Sequence, residues 1–213
     1  MLQGPPPYPD DLEAVLSNAR GLSNWIASRH DDQEIPKQLR SLIPGLLFDL
    51  SIEHHVGIIG LVERHINGSA FALLRAAFET LVRGIWLNLC ASDKDIQVFH
   101  KNDCFPDGLN FGQMISAIEK HPDFSDKLLS QLKNSSWEAM NSYTHGGMLQ
   151  LSRRINRGFI EPNFDPEEIV EVLRASGFFA LFALRQIARL SKNKAVEAEV
   201  EAMLVGTDLS LIS

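Results

Sequence analysis

Cysteine is scarce in this chain: the only two, Cys90 and Cys104, have no CxxC spacing. A disulfide framework and a zinc ribbon are thereby excluded as organising principles, and two free thiols suit a reducing compartment. Long apolar runs are missing too. The longest, Ala175 to Leu184, stops at Arg185, short of the roughly 20 residues that a membrane span needs, and it reads as a core helix. The N-terminal stretch MLQGPPPYPDD has neither the basic nor the apolar region of a secretory signal. There is no P-loop, dinucleotide fingerprint, nucleophile elbow or HExxH, and no internal repeat. Excess positive charge is lacking as well. With 20 Lys and Arg against 27 Asp and Glu, the formal net charge is −7, which speaks against nucleic-acid binding over the whole surface. These absences lead us to expect a cytoplasmic protein with no membrane partner, no cofactor and no metal.

What the chain has is helical periodicity. At 213 residues and 45% hydrophobic content it is long enough to bury roughly 70% of its unfolded surface in one domain. We place that domain at 10–205, with an extended tail over 1–9 and a flexible one over 206–213. Asp10 or Asp11 is expected to cap a first helix whose stripe is Leu12, Val15, Leu16, Ala19, Leu22 and Ile26. A second helical stretch runs from about Lys37 to Ile66. Pro44 and Gly45 should kink or split it, and Leu47, Leu50, His54, Ile58, Leu61 and His65 share one face. Asn67-Gly68 reads as a helix stop and Ser69 as the next cap. The helix from Ser69 to about Cys90 carries Phe71, Leu74, Phe78, Leu81, Ile85 and Leu89 at core spacing. So short a linker makes these two helices an antiparallel hairpin.

Downstream the pattern is choppier. Short helices are expected over 93–101, 110–120 and 123–133, followed by one from a Ser135–Glu138 capping box to His145, ended by Gly146-Gly147. Residues 148–164 lack a helical period and leave room for a short hairpin. Asp165, Pro166, Glu167 and Glu168 open a last long helix to about Leu190, and a short one follows over 194–204. The fold class is all-α: a single helical bundle built on the antiparallel hairpin.

Three groups of residues have the chemistry for a site. Arg75 and Glu79 lie one turn apart beside the apolar stripe. As a plain i,i+4 pair they contribute about 0.2–0.5 kcal/mol; at the edge of the core, such a pair is costly unless other groups complete it. Asn141 and His145 share a face of the helix that ends at Gly146, with Tyr143 between them. Histidine suits acid–base work near neutrality, yet a histidine before a terminal glycine is also an ordinary helix end. Arg153, Arg154 and Arg157 form a local basic segment that suits RNA. His54, His55 and His65 complete no metal set, and His54 reads as a satisfied core histidine.

The run GSAFALLRAAFETLVR over 68–83, with SYTHGG over 142–147, resembles a group of uncharacterised bacterial helical proteins with an Arg-x3-Glu helix and a later His-Gly. More distantly it is similar to HEPN domains, which are helical bundles, often dimeric, found in toxin–antitoxin and phage-defence systems; many are metal-independent ribonucleases. The resemblance implies His145 in the place of the catalytic histidine and Asn141 in the place of the polar residue that follows the arginine. It implies a homodimer, to which Phe178, Phe179 and Phe182 would add apolar surface. The arginine expected upstream is missing: positions 138–140 are Glu138, Ala139 and Met140. Either Arg75 or Arg153 replaces it, or the domain is not a nuclease. The expectation is therefore a non-catalytic interaction or sensing module linked to bacterial defence or toxin–antitoxin systems. The alternative is a metal-independent ribonuclease with His145 as general acid/base.

Overall fold

The computed structural model describes residues 7–31 and 33–205. The start of the expected N-terminal tail and the whole of 206–213 lie outside the described residues. The fold is all-α. Nine helices run in order among the described residues: α1 Asp10–His30, α2 Leu39–Glu63, α3 Asn67–Leu89, α4 Asp93–Asn102, α5 Phe111–Ile118, α6 Leu128–Thr144, α7 Met148–Ser152, α8 Pro166–Leu190 and α9 Lys194–Val205. A two-stranded antiparallel ribbon, β1 Ile155–Asn156 and β2 Phe159–Ile160, interrupts them between α7 and α8.

The α2–α3 hairpin forms as its short linker requires. Phe48 lies against Gly84, Ser51 Oγ donates to the Ala77 carbonyl at 2.9 Å, and Gly57 faces Leu73. As the α2 number rises the α3 number falls, which is the register of an antiparallel pair. Next to α3, the broadest contact of α2 is with α8, and α1 and α9 close over α8. The Ala175–Leu184 run is buried throughout, as a core helix must be. Phe178, Phe179 and Phe182 are buried with it, so they leave no apolar surplus for a second copy to cover.

Several boundaries differ from the expectations. Neither Asp10 nor Asp11 caps α1: Pro9 precedes the helix, and both aspartates sit in its first turn, at the positive end of the dipole. Pro44 does not split α2. It lies near the start of the helix, where the bond it forfeits is to a first-turn carbonyl, and it is buried. The buried face of α2 is Phe48, Ser51, His55, Ile58, Ile59 and Val62, one residue on from the expected stripe apart from Ile58. Among the described residues α2 is also the one helix long and apolar enough to cross a membrane, at a mean hydropathy of 1.4. A helix apolar on most sides does not select its own inner face by spacing; packing against α3 and α8 selects it.

Asn67 and Gly68 open α3 rather than end α2. The turn is Arg64–Ile66, with His65 in the left-handed region at φ 57°. The Tyr8 hydroxyl lies 2.9 Å from Asn67 Oδ1 and 3.1 Å from the Val62 carbonyl, and its ring stacks on His65 at 4.1 Å. A tertiary clamp from the N-terminus thus stabilises a turn with no glycine. Nor does Ser135 cap a helix. It sits inside α6 and donates back to the Leu132 carbonyl at 3.1 Å, because a serine hydroxyl in mid-helix finds a carbonyl one turn back. The real capping boxes are Ser92–Asp95 on α4 and Asn110–Gln113 on α5.

The core histidine is His55, not His54. Ser176 Oγ donates to the Leu173 carbonyl at 3.0 Å, so it accepts from His55 Nδ1 at 2.9 Å and leaves Nε2 unprotonated. That nitrogen is buried and meets no partner among the described residues. Burial pushes the imidazole down to about 4 from its ordinary 6.5. The folded state therefore resists a proton that the unfolded chain accepts. The stability this contributes is complete above pH 6.5 and falls by about 1.4 kcal/mol per pH unit down to about 4. Thermal melts of wild type and His55→Leu over that range should diverge, the variant losing this slope. A second test concerns the hairpin. A Cβ at Gly84 would meet Phe48 Cε1 at 2.6 Å, so Gly84→Ala should destabilise by about 1–3 kcal/mol in urea melts.

Candidate functional site

Spacings of four along α3 put Arg75, Glu79 and Arg83 on one side of that helix. Arg75 Nε donates to Glu79 Oε1 at 2.7 Å, and Arg83 Nη2 reaches Glu79 Oε2 at 3.0 Å. Arg75 Nη1 then donates to Nε2 of His145. The C-terminal end of α6 brings His145 there, since it is the residue that ends that helix. Thr144, one residue earlier, donates to the Ala72 carbonyl on α3 at 3.2 Å and ties the two helices together. Aromatic rings form the bed of the strip. The Arg75 guanidinium lies 5.0 Å over Trp137, which stacks on Phe111 at 4.4 Å, and Arg83 lies 5.8 Å over Phe105.

A guanidinium only donates hydrogen bonds. His145 Nε2 must therefore accept, and the ring proton sits on Nδ1. Arg75 and Glu79 are mostly buried, their side chains 21% and 17% exposed, whereas His145 is exposed. Arg75 reaches partners on α6; both partners of Glu79 are on its own helix. The strip thus joins three of the residues the sequence singled out: Arg75, Glu79 and His145. Asn141 is not among them. It is half-buried, and its Oδ1 is without a hydrogen bond among the described residues.

Tyr143 lies on the other flank of α6. Its ring packs edge-on to Phe71 at 4.8 Å, and it lines a cavity of about 220 Å³ walled by Phe71, Leu74, Met140, Val172 and Phe179. Arg153, Glu168 and Glu171 stand at the polar side of this cavity. Arg153 donates twice to Glu168, its Nε to Oε2 at 2.7 Å and its Nη2 to Oε1. That hydrogen bonding holds the guanidinium above its ordinary range. Burial, with Glu168 as the next cause, pushes the Tyr143 hydroxyl up. Met140 is buried in the same wall, where the resemblance to HEPN domains would call for an arginine.

The basic segment does not act as a unit. Arg153 is clamped by Glu168, while Arg154 and Arg157 are exposed at and beside the ribbon and carry no ion pair among the described residues. Arg83, Trp137 and Glu168 went unread in the sequence as members of these sites. Arg83 was detectable, one further turn past Glu79. Trp137 and Glu168 were read only as parts of helix starts, and no spacing links either to its partner. No group of three or more His, Cys, Asp or Glu converges on a metal position among the described residues.

Glu79 is mostly buried and shared by two arginines, so Glu79→Ala should cost about 1–3 kcal/mol, the range for leaving a buried hydrogen-bonding group without its partner. Arg75→Met should cost a comparable amount, as it leaves Glu79 with Arg83 alone and uncovers Trp137. Urea unfolding of the single variants measures both; losses below about 0.5 kcal/mol would mean an ordinary surface pair.

A model for a family of unknown function, DUF6988, matches residues 48–206, well over half the chain. No curated protein and no solved structure matches it. The matched span opens at Phe48, which fills the notch at Gly84, and includes Arg75, Glu79, His145, Arg153 and Glu168. The chain belongs to the DUF6988 family, a family of unknown function.

Proposed function

We propose that this chain is a non-catalytic, HEPN-like helical module for interaction or sensing, acting in the cytoplasm in bacterial defence or toxin–antitoxin systems. One observation carries the reading: Arg75 donates into Nε2 of His145 while Glu79 and Trp137 hold the guanidinium from behind. Nε2 of the imidazole is occupied, which leaves Nδ1 alone to exchange a proton with a substrate. The arginine that would grip a phosphate is neutralised by a carboxylate. Arg153 is similarly committed to Glu168. An arginine held in this way suits positioning helices; a nuclease instead needs a guanidinium free to face the phosphate beside its acid–base residue. The cavity beside Tyr143 supports the sensing side of the reading, being apolar-walled with a few polar groups at one side.

A second reading, a metal-independent ribonuclease, has one observation in its favour. The arginine missing from α6 is replaced in space by Arg75 of α3, which puts a guanidinium beside His145. Incubating the purified protein with mixed RNA in EDTA separates the two readings. We expect no cleavage by wild type or by His145→Ala. Cleavage by wild type that His145→Ala abolishes would replace the first reading with the second. Since His145 is exposed, the same variant should melt within about 1 kcal/mol of wild type, so loss of activity could not be put down to unfolding.

A further inference from the structure

Among the described residues, the α7–ribbon segment holds most of the large apolar side chains that are exposed. Met148, Leu149, Leu151, Ile155, Phe159 and Ile160 are all exposed, Phe159 at 71% and Ile160 at 93%. The base of the segment is fixed. Gln150 Nε2 donates to the Gly68 carbonyl at 3.1 Å, Phe164 packs on Phe71 at 5.1 Å, and Arg153 is clamped by Glu168. The ribbon itself pairs Ile155 with Ile160 and Asn156 with Phe159, around a two-residue turn in which Arg157 and Gly158 both have positive φ. A ribbon this short is marginal alone in water, and its outer strand edges are open to pairing. A firmly held base thus presents a bare apolar tip.

The charges around the tip select among partners. Arg154 and Arg157 are exposed without ion pairs among the described residues, and so are Glu161, Asp165 and Glu167. Arg154 and Glu161 face each other across the ribbon, joined by a backbone bond of 3.1 Å, with no ion pair between them. An anionic membrane or an RNA would require a field of one sign, and these carboxylates oppose it. An apolar centre flanked by unpaired charges of both signs complements itself, as the surface of a twofold contact must.

We infer that residues 148–161 form the contact surface for a second copy of this chain, apolar tip against apolar tip, with the unpaired arginines of one copy meeting the carboxylates of the other. This is independent of whether His145 is catalytic. It also places the contact on the ribbon and not on the phenylalanines of α8, which are buried within one copy.

Sedimentation velocity at micromolar concentrations tests it. Wild type should sediment as a dimer. Phe159→Ser combined with Ile160→Ser should sediment as a monomer, with unchanged helicity, because both side chains are exposed in one copy. Leu46→Ser, which removes an exposed apolar residue from α2, serves as a control and should remain dimeric. Three results would overturn the inference: a monomeric wild type, a ribbon variant that stays dimeric, or a Leu46→Ser variant that dissociates. Flotation with phosphatidylglycerol vesicles is the remaining arm. We expect none; ribbon-dependent flotation of a monomeric wild type would assign the tip to a lipid surface and overturn the inference too.

Discussion

The close approach of α2 and α3 is the constraint on which the rest of the molecule depends. Phe48 is fully buried and occupies the space a side chain at Gly84 would need. Burial of one such ring contributes about 1.5–3 kcal/mol, but its larger effect is geometric. With Gly84 as a notch, the backbones come together and the antiparallel register is set. α8 then lies across the pair, where Ser176 meets His55 and Gly177 admits Leu22 of α1 beside the same imidazole. The buried histidine is tolerated because the one bond it makes holds α8 to α2, and because it remains neutral.

With α3 fixed by α2 on one side, its other side is free to bind α6. One packed helix thereby serves two polar sites. The strip from His145 through Arg75 and Glu79 to Arg83 lies along one flank of α6, and the cavity holding Tyr143, Arg153 and Glu168 lies along the other. In both, a carboxylate accepts from a guanidinium, Glu79 from Arg75 and Glu168 from Arg153, while Arg83 shares Glu79 as a second ion pair. Charge pairs at this depth are expensive to separate. Leu149 and Arg153, at the base of the ribbon segment, are also part of the cavity wall.

Much of the site was legible in the residues, and the reasons for the remainder are specific. Arg75, Glu79 and His145 stood out as charged or titratable groups beside apolar stripes, and the structure brings them together. Their separation of 70 positions hides the contact, because no local spacing encodes which helix end meets which face. Arg153, Arg154 and Arg157 looked like one basic cluster because they are close in sequence. A carboxylate on α8 removes the first and a tight ribbon turn exposes the other two. Asn141 has the right spacing from His145, and its carbonyl accepts the His145 backbone N–H at 3.0 Å, yet no bond joins the two side chains among the described residues. Spacing of four puts two residues on one face of a helix; it does not bring their side-chain polar atoms into contact.

By itself, the sequence determined the all-α class, the antiparallel hairpin, the start of α8 at Pro166, the end of α6 before Gly146 and the core role of the Ala175–Leu184 run. Each follows from local signals: 3.6-residue periodicity, a short linker, proline at a helix start and glycine after a helix end. Only the tertiary structure decided which face of the apolar α2 turns inward, so that His55 and not His54 is buried. It likewise decided that Asn67 and Gly68 open a helix, under a clamp from Tyr8, and that Arg75 finds His145. Those outcomes depend on partners tens of residues away, whose packing and desolvation costs no local pattern carries.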